Sequence, residues 1–122
     1  MGIYSNDIQE VKDYISQTKN KIEEYTQLYN KINNDIIPKL DDAKKVSEGA
    51  YNGIKRNYDG VNTNPIMNSA EIGGKIIGIK EKLTISLERI SNKIEQLKID
   101  LTNYNDTLEN YERLDLENAE QN

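Results

Sequence analysis

Nine residues decide most of what this chain can fold into. Leu83, Leu87, Ile90, Ile94, Leu97, Leu101, Tyr104, Leu108 and Tyr111 follow one another in alternating steps of four and three. A strand repeats every two residues and cannot line these side chains on one face, whereas a helix can. Four heptads of strict 3.5 spacing define a coiled-coil-like seam, and such a seam is stable only against another helix. The chain must therefore contain or recruit a second helical stripe.

Its first half contains one. Ile8, Val11, Ile15, Thr18, Ile22, Tyr25, Tyr29, Ile32, Ile36, Leu40, Ala43, Val46, Ala50, Ile54 and Tyr58 share a helical face by the same steps of three and four. Asp7 is the expected N-cap, with Glu10 as its capping-box partner. Pro38 removes one backbone hydrogen bond while the stripe keeps its phase, which predicts a kink or two helices stacked nearly end to end. Between the stripes, "NYDGVNTNP" is rich in Asn and holds Gly60 and Pro65, a turn signal. The expectation is an all-α fold, a single antiparallel helical hairpin with arms at about 7–58 and 66–118, a turn at about 59–65 and an acidic tail to 122.

Glycine spacing suggests a register. Gly49 and Gly53 on the first arm and Gly74 and Gly78 on the second can face each other pairwise, letting the backbones approach and placing the fold point between Thr63 and Asn64. That register sets Tyr111 beside Ser16 and Asp115 beside Lys12. It also puts Leu28 and Ile99 on one level, outside the seam, as candidate partner-binding residues. A two-helix unit has little surface with which to cover such side chains.

Composition then narrows the function classes. Only 35% of the residues are hydrophobic and 30% are charged, which suits a narrow seam rather than a thick core. With no Cys, His, Trp or Phe, thiolate and imidazole chemistry and the commonest zinc ligands are excluded. Net charge is -5. The stretch from Glu109 to Asn122 contributes -4 of it, with five acids against Arg113, so the remaining residues are nearly neutral. No basic face predicts a nucleic-acid partner, and no apolar run approaches the ~18 residues of a membrane span. The opening segment lacks the basic and apolar regions of a cleaved signal, and Asn6 stands where a myristoylation motif needs Ser or Thr. Synthesis in the cytoplasm is expected, with any export by a route that needs no cleaved signal.

Fragments that resemble catalytic or metal motifs fail on their spacing. In "GGKIIGIK", Ile79 follows Gly78 where a phosphate loop needs Lys. The calcium-loop reading from Asp59 meets Asn64 at the glycine position and Ala70 at the bidentate position. Glu23-Glu24 and Asp41-Asp42 are adjacent, so on a helix each pair diverges by about 100° and cannot frame a substrate. No catalytic residue, metal ligand or cofactor-binding residue is expected, and no enzyme.

One resemblance covers nearly the whole chain. Two helices of similar length, Tyr58-Asp59-Gly60 at the turn and Tyr111-Glu112-Arg113-Leu114-Asp115 late in the second arm resemble the WXG-type small substrates of bacterial type VII secretion. "GGKIIGIKEKLTISLERISNKIEQLKIDLTNY" is similar to the second helix of the small helical proteins that accompany LXG toxins through that system. The Trp of the turn motif is absent here, with Tyr58 in its place, which favours the accessory branch. The resemblance implies a helical hairpin in which Tyr111 and Asp115 form a Tyr-x-x-x-Asp export signal read by the secretion machinery. It also implies pairing with the helical N-terminal domain of an LXG-type toxin or with a second small helical protein. Two other classes fit the residues as well: a self-assembling structural coiled coil, and a cytoplasmic holding chaperone or antitoxin that is not exported.

Overall fold

A computed structural model describes the backbone of residues 2–58 and 64–121, and the side chains of residues 2–50, 52 and 70–120. Helix α1 (Ser5–Lys31) runs through one π-helical turn (Ile32–Ile36) into α2 (Ile37–Tyr58), and α3 spans Asn64–Gln121. No strand occurs among the described residues. The protein is an all-α helical hairpin, as the two seams predict. Gly60, of the candidate turn motif, lies outside the described residues. The backbone of Tyr58 closes α2, and its side chain lies outside the described set. Asn64 and Pro65 open α3 rather than ending the turn; a proline in a first helical turn gives up an N–H that has no intrahelical acceptor.

The hairpin comprises two compact units. In the first, α1 up to Gln27 packs on α3 from Ile90 onward. Val11, Ile15, Thr18 and Leu97 are its buried residues, flanked by half-buried Ile8, Ile22, Ile94, Leu101, Tyr104 and Leu108. The two segments run antiparallel: the Tyr4 ring meets Tyr111, whereas Tyr14, further along α1, meets Tyr104, which is earlier on α3. The second unit is Leu28–Arg89. Ile32 and Leu87 are buried there, with Ile36, Leu40, Ile76 and Leu83 half-buried. Its antiparallel sense follows from Asp41, which accepts from Lys80 Nζ at 2.8 Å, and from Ser47, whose hydroxyl lies over Gly73.

These pairs replace the register expected from the glycines. Lys80, expected beside Ser47, meets Asp41 instead, and a Cβ placed on Gly49, Gly74 or Gly78 would meet no atom within 4 Å. Small residues help only where backbones touch, while each buried Ile or Leu side chain stabilises by about 1.5–3 kcal/mol. The aliphatic seam therefore sets the register. Among the described glycines inside the helices, Gly73, which the glycine argument passed over, is the one that faces the opposite arm, with Ser47 Oγ 3.7 Å from where its Cβ would stand; Gly53 lies outside the described side-chain positions. In the first unit, Tyr14 opposite Tyr104 puts Ile99 level with Lys19.

Pro38 acts through the π turn. A proline within a helix lacks its N–H and crowds the carbonyl four residues back, here that of Asn34. The chain meets this by widening the turn just before it: the Ile37 N–H reaches the carbonyl of Ile32, five residues back, and the backbone stays right-handed helical at both ends. An i→i−5 turn absorbs one extra residue and rotates everything after it relative to the seam. Up to Leu40 the predicted stripe faces inward. Beyond it, Ala43, Val46 and Ala50 are exposed, Val46 at 72%, while Lys44 is half-buried and Ser47 is buried at 8%. The predicted stripe is correct to Leu40 and turned outward from Ala43 to Ala50; the side chains of its last two members, Ile54 and Tyr58, lie outside the described set.

Helix α1 also starts earlier than its Asp7 cap predicts. Ser5 is its first residue, and the Tyr4 carbonyl accepts the N–H of Ile8 at 2.8 Å. Asp7 lies within the first turn, where a negative charge is favourable to the helix dipole. Glu10 is engaged by the Tyr14 hydroxyl, which donates to it at 3.0 Å, rather than reaching back to cap the helix. The core remains thin throughout: Leu97, the most buried hydrophobic side chain described, keeps 5% of its surface exposed.

Candidate functional site

The heptad that places Leu101 and Leu108 on the seam of α3 delivers Asp115 to the next equivalent position, seven residues on. A carboxylate on a seam needs a donor, and the donor is backbone. Asp115 Oδ1 accepts the N–H of Tyr4 at 3.0 Å. The turn that presents this N–H is closed by Ser5 N–H donating to the Gly2 carbonyl at 3.2 Å. Gly2 itself lies flat against the carboxylate, and a Cβ there would overlap Asp115. Glycine at this position is thus a matter of close approach.

Tyr111, one turn earlier on α3, packs its ring on Tyr4, with centroids 5.4 Å apart and planes tilted by 35°. Offset ring pairs of this kind contribute about 0.5–1.5 kcal/mol beyond their buried area. The carboxylate beside the start of α1 complements the positive end of the helix dipole and substitutes for a local N-cap, a role worth about 1 kcal/mol. Tyr111 and Asp115, the export-signal candidates, thus share one face, and that face is docked on the N-terminal turn through Tyr4. Both are half-buried. Neither lies beside the Ser16 and Lys12 positions that the glycine register assigned.

Beside this contact opens a cleft of about 490 Å³, lined by Gly2, Ile3, Ile8, Glu112, Asp115 and Leu116 among others. Ile3 and Leu116 are 73% and 62% exposed. The chemistry on offer is recognition: two phenols, a carboxylate held by an amide, and two exposed aliphatic side chains. Further along the same unit, Tyr14 and Tyr104 stack with centroids 5.5 Å apart and planes inclined by 20°. The hydrogen bond to Glu10 and the charge of its carboxylate raise the Tyr14 hydroxyl above the ordinary tyrosine value, with smaller contributions from burial and Tyr104.

The partner-binding candidates stand at the surface, Leu28 at 44% and Ile99 at 55% exposure. The structure brings together Tyr111 and Asp115. Sequence reasoning missed Gly2 and Tyr4. The available signal was the heptad itself, which extends one step past Leu108 to a carboxylate that requires a donor. Among the described residues, no three side chains of metal-binding type come together, and no helix is long and apolar enough to cross a membrane. Comparison with known protein families, with curated proteins and with solved structures finds no match.

Proposed function

We propose that this protein is a non-enzymatic accessory factor that binds the helical N-terminal region of an LXG-type toxin and promotes its type VII export, itself made in the cytoplasm and exported without a cleaved signal. The observation that supports the reading is the joint placement of Tyr111 and Asp115, half-buried and one turn apart on one face of α3, with Asp115 lining an open cleft. The resemblance in the second arm and the hairpin fold support it. A thin core that leaves aliphatic residues such as Ile99 at the surface is also what a chain stabilised by a second helical protein would have.

The docking on Tyr4 adds a feature to the proposal. The recognised element is composite, with the α1 N-terminal turn holding the ring and carboxylate in fixed orientation for the secretion machinery. The test compares export of the toxin client in the native host for Tyr111→Ala, Asp115→Ala and Tyr4→Ala, alongside pull-down of the complex. Lost export with an intact complex supports the reading; normal export in the Asp115 variant overturns it. The exposed Val46, Ile72 and Ile79 also favour a second reading, a self-assembling coiled coil that is not exported. For that reading, sedimentation of the purified chain would show stable oligomers.

A further inference from the structure

The net charge of the chain gathers at one end of the first unit. Residues 109–120 hold Glu109, Glu112, Asp115, Glu117 and Glu120 against Arg113, a net of -4, and residues 2–12 hold Asp7 and Glu10 against Lys12, a net of -1. Together they equal the -5 of the whole chain, so the charges elsewhere cancel. Arg113 is already engaged, donating to Glu117 at 2.8 Å and to Asn110 at 2.7 Å. The backbone adds to the field. The C-terminal end of a helix carries partial negative charge, and the last turn of α3 has no basic residue to offset it.

The cleft of about 490 Å³ opens within this field. Its apolar lining is Ile3 and Ile8 from the start of the chain and Leu116 and Ala119 from α3. Glu112, Leu116 and Ala119 follow in steps of four and three, so they form one stripe beside the seam residue Asp115. Glu112 and Asp115 line the cleft and no Lys or Arg does; Lys12, one turn beyond Ile8 on α1, is not part of the lining. Asp115 accepts the N–H of Tyr4, whereas Glu112 is exposed and makes no hydrogen bond or ion pair among the described residues. The cleft thus has an aliphatic lining and a free carboxylate at its edge.

Sign and shape together select the occupant. A second copy bound through the same end across a two-fold axis would set -5 against -5, a like-charge contact that disfavours self-pairing. Nucleic acid and anionic lipid are repelled for the same reason. A lone cation would leave Ile3 and Leu116 uncovered at 73% and 62% exposure. A helix with Lys or Arg beside an apolar stripe meets both demands, in the helix-in-groove mode of recognition.

We infer that the cleft between Ile3 and Leu116 receives a basic-edged amphipathic helix of a partner protein, with its aliphatic side chains on Ile3, Ile8 and Leu116 and a Lys or Arg against Glu112. This rests on the reading of this end of the hairpin as a recognised element and gives the recogniser its chemistry.

The test uses the full chain and two synthetic peptides of two heptads, each cross-linked to stay helical, with Leu on one face and either Lys or Glu on both flanks. The Lys-edged peptide should bind at least about tenfold more tightly than the Glu-edged one, with the preference narrowing as salt is raised. Glu112→Lys should weaken the Lys-edged peptide at least about tenfold, while Glu24→Lys, the same charge change on α1 away from the cleft, should leave most of its binding. Leu116→Ser should abolish binding with helix content unchanged. Equal binding of the two peptides, binding by neither, equal losses for Glu112→Lys and Glu24→Lys, or binding that survives Leu116→Ser overturns the inference. So does self-association of the chain that Leu116→Ser removes. Secretion is read separately. Export that is insensitive to Tyr111 and Asp115 while the peptide preference holds refutes the proposed function and leaves the chemistry of the cleft standing; export lost in Asp115→Ala with no peptide preference does the reverse.

Discussion

The Asp115 carboxylate accepts the backbone N–H of Tyr4 at 3.0 Å across 111 residues of sequence, so one end of α3 caps the start of α1. Removing that acceptor leaves a part-buried N–H without its partner. Asp115→Ala should destabilise the hairpin by about 1 kcal/mol, the usual cost of a lost cap. The loss should concentrate in faster amide exchange through the first turn of α1, with the seam around Leu97 unaffected. Uniform loss of protection would show that Asp115 matters to the whole fold instead.

Gly2→Ala reaches the same contact from the other side. The added Cβ would overlap the carboxylate, so Gly2 or Asp115 must move and the bond to Tyr4 must lengthen. The expected cost is again about 1 kcal/mol. Because both changes act on one contact, the double variant should lose clearly less than the sum of the two. Additive losses in denaturant unfolding would separate Gly2 from the cap.

Pro38→Ala tests the origin of the outward face of α2. Alanine restores an N–H and relieves the crowding of the Asn34 carbonyl, so the π turn should close towards α geometry and rotate Val46 inward. The chain has no cysteine, so Val46→Cys gives a single reporter. Its thiol should react as a free, exposed group in the native background and several-fold more slowly with Pro38→Ala. An unchanged rate would assign the register to the packing of Ser47 over Gly73 rather than to the proline.

How much of this could be read from the residues follows from the physics of each element. The seam from Leu83 to Tyr111 was fully legible, because aliphatic burial is large and its period admits one fold class. The outward turn of Val46 was not: a proline announces a defect in a helix, yet whether the helix kinks or inserts a residue depends on what packs opposite, here Gly73. The glycine register misled because spacing shows which small residues could meet, while the fit of the whole seam determines which do. The cap at Tyr4 was half legible. Asp115 continues the heptad, but nothing local identifies its donor more than a hundred residues earlier.

Tyr14 provides a pH-dependent readout of the first unit. Its hydroxyl is raised above the ordinary value of 10.0 chiefly by the hydrogen bond to Glu10 and by that carboxylate's charge. A raised folded value means that the interaction stabilises fully below the unfolded tyrosine value and is lost as pH rises through the folded one. Glu10→Gln removes the charge, so the phenolate absorbance of Tyr14 should emerge at lower pH than in the native chain. A difference titration against Tyr14→Phe isolates this residue from the other tyrosines, and an unmoved midpoint would contradict the Glu10 contact.

If the secretion machinery reads Tyr111 and Asp115, export of the toxin client in the native host depends on both side chains. Asp115→Ala removes both the label and the cap, whereas Gly2→Ala strains the cap and leaves the label in place. The measurement is the amount of client exported by cells carrying each variant, with the complex checked by pull-down. Asp115→Ala should abolish export from an intact complex, while Gly2→Ala should retain most of it. Undiminished export with Asp115→Ala, or equal loss with both, would contradict the label and leave Asp115 as a helix cap alone.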